Sequence, residues 1–441
     1  MVMDSLENAI NDAQKIKSMR KAFETVKKRQ KRLALQNFEE RRTKLREMKE
    51  FSSGNNSLID ETAENLNKNG FSVKLASSKK EAIKLILEEV KGETLVVKSK
   101  SKTLNSLGLI EKLAEHNIKT IETDIGDRIL QLSGETSFHP TGPACHLTRH
   151  DVATVLSKHL GVPINSDPSE LINILKGEIV ENLMNAKIGI TGANAITAEE
   201  GSVVLVHNEG NIIEVMTRPK KHIIVAGTDK IVPNLEDALN LIKLQIYCAT
   251  GSKLTSHINI LGGPTKTADI EKKLFTGIHG PREISLILIE DNSEIPEEYR
   301  ELLFCIGCGA CLLDCPVYSV FGNKFGDKNE GHGGRGVLLS ALLEKNRISA
   351  NHKVFNCLEC GKCSETCPAK IDTRGLIAKI KKDNPPIPGP YYLNKVYTFG
   401  SSHSRYLRRV VVLKYLDILN GIMTALNKCR FTRTLNRKSC D

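Results

Sequence analysis

The hydrophobic positions of this chain change period along its length. From residue 58 they fall in blocks that read alternately as helix and strand. Residues 58–69 have helical spacing and end at Gly70, a natural helix stop. Residues 71–76 read as a short strand, 79–91 as a helix closed by Gly92, and 94–98 as a buried strand. A helix over 104–117 and a strand over 119–123 follow. Strands alternating with helices of about a dozen residues imply βαβ units and a mainly parallel sheet. The rhythm continues through helices at 151–159 and 179–185 and a strand at 187–191. The runs 203–207 and 212–215, joined across Glu209-Gly210-Asn211, predict a β-hairpin. Residues 223–226 and 284–289 predict further strands. Ahead of this block, residues 1–50 read as helix throughout, with charges interleaved among Met19, Phe23, Val26 and Leu33 and no Gly or Pro.

After residue 295 the pattern is set by cysteine instead. One run reads Cys305-Ile-Gly-Cys308-Gly-Ala-Cys311-Leu-Leu-Asp-Cys315-Pro316. A second reads Cys357-Leu-Glu-Cys360-Gly-Lys-Cys363-Ser-Glu-Thr-Cys367-Pro368. This is the C-x2-C-x2-C-x3-C-P spacing that holds a pair of [4Fe–4S] clusters, the fourth cysteine of each run reaching the other cluster. The spacing predicts Cys305, Cys308, Cys311 and Cys367 on one cluster and Cys357, Cys360, Cys363 and Cys315 on the other. Gly307 or Gly309, and Gly361, would let the backbone approach inorganic sulfide. One zinc ion needs four ligands, and the two runs supply twice that number. Disulfides belong to oxidising compartments and small secreted domains. Thiols kept reduced to hold iron point to a cytoplasmic protein.

The chain of 441 residues is 40% hydrophobic, enough for soluble cores in two or three domains. The boundaries read as a basic helical segment at 1–57, an α/β domain at 58–295, a mostly α-helical dicluster ferredoxin-like domain at 296–383, and a Pro-rich linker with a basic tail at 384–441. No apolar stretch is long enough to span a membrane, and the first residues lack a signal-peptide core. The net charge of +11 sits at the ends: residues 1–50 hold 14 Lys/Arg against 8 Asp/Glu, and 391–441 hold 10 against 2. Such ends suit docking to an acidic protein or a membrane periphery. Nucleic acid is disfavoured, since Trp is absent and no basic strip is interleaved with aromatics. A solvated charged helix face accounts for most of the N-terminal charge.

The chain resembles the lactate-utilisation protein B family over about residues 60–380. The resemblance is carried by Val97-Lys98-Ser99-Lys100-Ser101, Glu122-Thr123-Asp124-Ile125-Gly126, the stretch Thr191-Gly192-Ala193-Asn194 through Glu199-Glu200-Gly201-Ser202, and His279-Gly280-Pro281 leading to Cys305. It implies a LUD domain, a mixed α/β fold with a largely parallel sheet related to CoA-transferases and sugar-phosphate isomerases. It also implies that the chain works beside a Cys-rich or flavin subunit and a second LUD protein in oxidising lactate to pyruvate. The function expected is an iron–sulfur electron-transfer subunit for lactate or a related 2-hydroxy acid. The alternatives are a redox-sensing or ligand-binding LUD regulator, and an electron carrier to a heterodisulfide-type partner.

Two further segments are ligand candidates in the LUD part. Lys98-Ser99-Lys100-Ser101 follows a buried strand and could hold an anion, or could simply cap the next helix. Glu199-Glu200-Gly201-Ser202 lies where open α/β sheets bind ligands, or forms an ordinary turn. Gly262–Thr267 lacks the order of a phosphate loop and reads as a turn. Cys145, His146 and His150 lack a fourth metal partner. Cys145 and Cys248 read as ordinary thiols, and His332 and Arg335 as residues that could tune a nearby cluster. No nucleophile elbow or dinucleotide motif occurs.

Overall fold

The alternating blocks build one parallel sheet. The computed structural model describes residues 13–290, 295–343 and 353–383. Its strands in chain order are β1 (Ser72–Ala76), β2 (Leu95–Lys98), β3 (Lys119–Glu122), β4 (Ile188–Thr191), β5 (Ala195–Thr197), β6 (Ser202–His207), β7 (Lys221–Gly227), β8 (Ile231–Val232), β9 (His257–Leu261), β10 (Lys266–Thr267), β11 (Phe275–Thr276), β12 (Glu283–Ile289), β13 (Gly326–Asp327) and β14 (Gly331–His332). The main sheet has the order β1-β12-β7-β4-β2-β3, and every pair in it is parallel. Its central strands are apolar on both faces because both faces are covered. Ile224, Ala226, Leu286 and Leu288 enter one core, while Ile223, Val225, Ile287 and Ile289 enter the other. Each alternate set buries roughly 1.5–3 kcal/mol per large aliphatic side chain.

A second sheet has the order β8-β5-β6-β9. Here the expected hairpin is replaced. β6 pairs antiparallel with β5 and β9, and residues 212–215 lie in a helix, Asn211–Thr217. Ile212, Val215 and Met216 fall three and four apart and are buried, so the run has a helical face that outweighs its β-branched composition. Gly210, at φ +82°, turns the chain into that helix. The helix expected over 104–117 is divided into Lys102–Ser106 and Leu109–Ala114 at Gly108, again at positive φ.

The N-terminal segment is not one helix and is not merely solvated. Helices Ala13–Arg32 and Phe38–Ser52 are separated by a turn in which Asn37 takes φ +55°. Met19, Phe23, Leu45 and Met48 enter a core shared with the helix Leu235–Thr250 and with Leu302, Phe304 and Tyr318 of the cysteine-bearing region. Arg46 bonds Glu301 at 2.8 Å and the Lys370 carbonyl at 3.1 Å, and stacks 4.8 Å from the Phe304 ring. Arg42 donates to the carbonyls of Cys367 at 2.8 Å and Glu365 at 3.0 Å. These two helices therefore clamp the cysteine-bearing region onto the α/β part. The Pro-rich linker and basic tail, 384–441, lie outside the described residues. Among the described residues no helix is long and apolar enough to cross a membrane.

Candidate functional site

The two cysteine runs use one backbone device twice. Gly307 and Glu359 occupy matching positions, two residues after the first cysteine, at φ +72° and +52°. In each case the amide donates to the sulfur behind it, Gly307 N to Cys305 Sγ and Glu359 N to Cys357 Sγ, both at 3.4 Å. Gly309 and Gly361, at φ +73° and +78°, open the short helices Ala310–Leu313 and Lys362–Glu365 that carry Cys311 and Cys363. Those helices pack against each other. The amide of Tyr318 donates to Cys315 Sγ at 3.4 Å. Amide donors of this kind stabilise thiolate sulfur and tune a cluster it holds.

The electrostatic neighbours of the fourth thiol of each run lie in the other run. Cys367, pushed up to about 12 by burial, interacts with Cys308 and Cys305 of the first run. Cys315, likewise about 12, interacts with Cys357 and Cys363 of the second. Burial tends to raise Cys305 too, but Arg335, Lys102, the Gly307 amide and Lys230 outweigh it and hold this thiol below its usual value. All eight thiols are free. Among the described residues no three His, Cys, Asp or Glu side chains converge on a single metal ion. A cubane binds its thiolates through four separate irons, so its ligands stand further apart. The paired turns, the amide-to-sulfur bonds and the crossing of neighbours fit two such groups.

Two residues near the runs were not legible in the spacing. Cys248, buried in the helix Leu235–Thr250, turns its thiol toward Cys308. His139 lies with Nε2 3.4 Å from the Gly309 carbonyl oxygen. A Cβ on Gly309 would fall against that imidazole and 2.9 Å from Pro140. Gly309 thus makes room for His139, whereas among the described residues nothing beyond its chain neighbours lies within 4 Å of a Cβ built on Gly307.

A cavity of about 770 Å³ separates the first cysteine run from the sheet. It lies beyond the carboxyl ends of β2, β3, β4, β7 and β12, where Ser99, Asp124, Gly192, Gly227 and Ile289 line it. The chain passes from β2 outward to β3 and then back to β4 on the other side of β2, so the crevice sits at a topological switch point. Cys305, Ile306, Gly307 and Arg335 form the opposite wall. Water reaches Lys102 through the cavity, yet protein surrounds it closely enough that burial lowers its ammonium to about 8, with Arg335 adding to the effect. Lys100 is neutralised by Asp124 at 2.7 Å and Lys230 by Asp229 at 2.7 Å.

The structure separates the two ligand candidates of the LUD part. Ser99, Lys100 and Ser101 line the cavity, but Lys98 is fully buried in an ion pair with Glu122. Burial pushes the Glu122 carboxyl up, and Lys98 pulls it back. Glu199, Glu200, Gly201 and Ser202 are not in the cavity wall. Glu199, Glu200 and Gly201 lie in the β5–β6 turn and Ser202 opens β6; Asn69 donates to the Glu200 carbonyl at 2.7 Å and the Glu200 side chain caps Leu235 at 3.0 Å. A Cβ on Gly201 would strike the Asn65 backbone, so its glycine is a packing requirement. His146 bonds Glu135 at 3.0 Å and stacks on Phe138 in place of binding metal. Residues 262–265 form the expected turn before β10, with Gly263 at φ +103°.

Comparison with known proteins agrees with both halves of this arrangement. Residues 59–289 match the LUD domain and residues 301–371 the 4Fe–4S dicluster domain. Lactate utilization protein B of Bacillus cereus (strain AH820) is 34% identical over 325 residues, 73% of this chain and 66% of that protein. Its namesake from Bacillus cytotoxicus is 35% identical over the same shares. The chain thus spans a little under two thirds of the length of these relatives. The crystal structure of a duf162 family protein from Deinococcus radiodurans aligns at 14% identity over 53% of this chain and 96% of that one, with a TM-score of 0.30, too low to carry an argument. The chain belongs to the LUD-domain family, and joined to its LUD domain is a dicluster domain whose cysteines provide for two [4Fe–4S] clusters.

Proposed function

We propose that this chain is the iron–sulfur electron-transfer subunit of an oxidoreductase that converts lactate or a related 2-hydroxy acid to the 2-oxo acid. Cys305, Cys308, Cys311 and Cys367 hold one cluster in this reading, and Cys357, Cys360, Cys363 and Cys315 the other. The crossing of thiol neighbours supports that partition. When bound, the clusters supply one-electron carriers. Oxidising a 2-hydroxy acid releases two electrons and two protons, so a pair of such carriers matches the stoichiometry.

The observation that carries the reading is the contrast between the two runs. Cys305 stands in the wall of an internal cavity, while Cys360 is exposed on the surface. One end faces a small-molecule space and the other faces a partner. Amide donors steady Cys305 and Cys357 at 3.4 Å, and Lys381 holds the Cys357 carbonyl at 2.7 Å. The relatives are named for lactate utilization, which favours a lactate-type donor. A Cys-rich or flavin subunit and a second LUD protein are the partners proposed.

The test mixes the anaerobically reconstituted chain with those partners and L-lactate. Bleaching of the cluster absorbance at the rate of pyruvate formation is expected. Pyruvate formation with the clusters left oxidised, electrons going to another acceptor, contradicts the proposal.

A further inference from the structure

The cavity between the sheet and Cys305 is more than a gap between domains. Its volume of about 770 Å³ falls within the range of about 300–1,000 Å³ typical of small-molecule sites. Its charged groups are of two kinds. Lys100, Lys230 and Lys79 already have carboxylate partners in Asp124, Asp229 and Glu330. Lys102 has no hydrogen bond or ion pair among the described residues, and Arg335 uses only Nε, which donates to the Leu302 carbonyl at 2.9 Å. Among the described residues neither Lys102 nor Arg335 has a carboxylate in contact, although Asp229 acts on both at longer range and Arg29 adds a third cation to the wall. Ser99 lines the same cavity, but its hydroxyl is shielded from the water-accessible space, so it bounds the wall and leaves the polar contacts to the cations. The remaining wall is mixed, with Leu107, Ile212, Ile246 and Leu339 beside Asn194, Glu209 and Gln245.

We infer that this cavity is a binding site for a small organic anion, whose carboxylate or phosphate is held by Lys102 and Arg335 and whose body fills the rest, against Cys305. Guanidinium and ammonium groups are the usual recognition pair for an oxyanion. The site gives the LUD domain a role of its own: it places a ligand beside the iron–sulfur centre. The inference rests on the reading above only in taking Cys305 as a cluster ligand.

The test uses the full chain with both clusters reconstituted under anaerobic conditions. Inorganic phosphate and pyruvate are titrated separately, with binding read by calorimetry and by the EPR spectrum of the reduced protein. At least one probe is expected to bind and to alter the EPR signal. Lys102→Gln should weaken that binding about tenfold or more, the loss of one charge-assisted hydrogen bond. Arg335→Gln should weaken it to a similar degree, with thermal stability read alongside as the control for folding. Lys158→Gln, on an exposed helix face, should leave it unchanged. Binding of phosphate alone assigns the site to phosphate esters, and binding of pyruvate alone to carboxylates. The inference is overturned if neither probe binds at millimolar concentration, or if binding survives both Lys102→Gln and Arg335→Gln. A shift in cluster potential in Lys102→Gln with anion affinity unchanged would show that the cations serve the cluster only, which also overturns it. Failure of the electron-transfer proposal appears separately, as clusters that lactate and the partner subunits leave oxidised while anion binding persists.

Discussion

The Gly309 carbonyl oxygen lies 3.4 Å from Nε2 of His139, so a LUD-domain imidazole closes over the turn between Cys308 and Cys311. Burial pushes that imidazole down to about 3, with the Gly309 carbonyl pulling the other way, so the ring is neutral. Gly309→Ala should cost about 2–4 kcal/mol, combining a left-handed backbone with a Cβ driven into the ring. Gly361→Ala, at nearly the same φ, meets the flexible ends of Arg374 at 3.4 Å and Glu365 at 3.8 Å and should cost about 1–2 kcal/mol. Chemical denaturation of the two variants side by side isolates the His139 contact; equal losses would show that the contact does not matter.

The buried pair Lys98–Glu122 ties β2 to β3. Removing one partner strands a charge in the core. Lys98→Met is expected to destabilise the protein by about 3–5 kcal/mol, and the double variant Lys98→Met/Glu122→Leu by much less. Urea denaturation of both variants measures this. A single variant as stable as the double would mean that the pair titrates to neutrality in place of stranding a charge.

His222 in β7 is fully buried, accepts or donates one bond with Thr191 at 2.8 Å, and leaves Nδ1 without a partner. Burial lowers its pKa to about 3. Between the ordinary value near 6.5 and 3, the unfolded chain binds a proton that the folded chain does not. Stability is therefore full above pH 6.5 and falls as pH drops through that window, by up to about 1.4 kcal/mol per pH unit from this group. His139 adds the same sense, so the test is a difference. The stability of His222→Gln should depend on pH less steeply than the wild type between pH 6.5 and 5. Identical slopes would remove His222 from the account.

Much of this was legible in the chain. The cysteine spacing is a local constraint and pointed directly to the paired turns. The periods of residues 94–98 and 284–289 found β2 and β12, because strands covered on both faces are continuous apolar runs, and residues 71–76 found β1 at the sheet edge. Residues 212–215 misled because Ile and Val favour strands, while their burial at helical spacing decided the outcome. Glu199–Ser202 misled because a turn after a strand resembles a binding loop in one dimension, and only the packing of Asn65 and Asn69 on it reveals its structural use. The meeting of Ser99 and Lys102 with Cys305 and Arg335 had no sequence signal: the partners are far apart in the chain, and their union depends on the clamp formed by the helices around Met19 and Arg46. The neighbourhood of Cys248 and Cys308 is hidden for the same reason.

The central claim is that the fourth cysteine of each run serves the opposite cluster, and a pair of double variants tests it most directly. Cys315→Ala/Cys357→Ala removes two ligands of one cluster in this account, so iron analysis after anaerobic reconstitution should find about four irons per chain. Cys315→Ala/Cys308→Ala strikes both clusters and should leave close to none. The reverse result, iron lost in the first variant and about half retained in the second, would mean that each run holds its own cluster and would contradict the account.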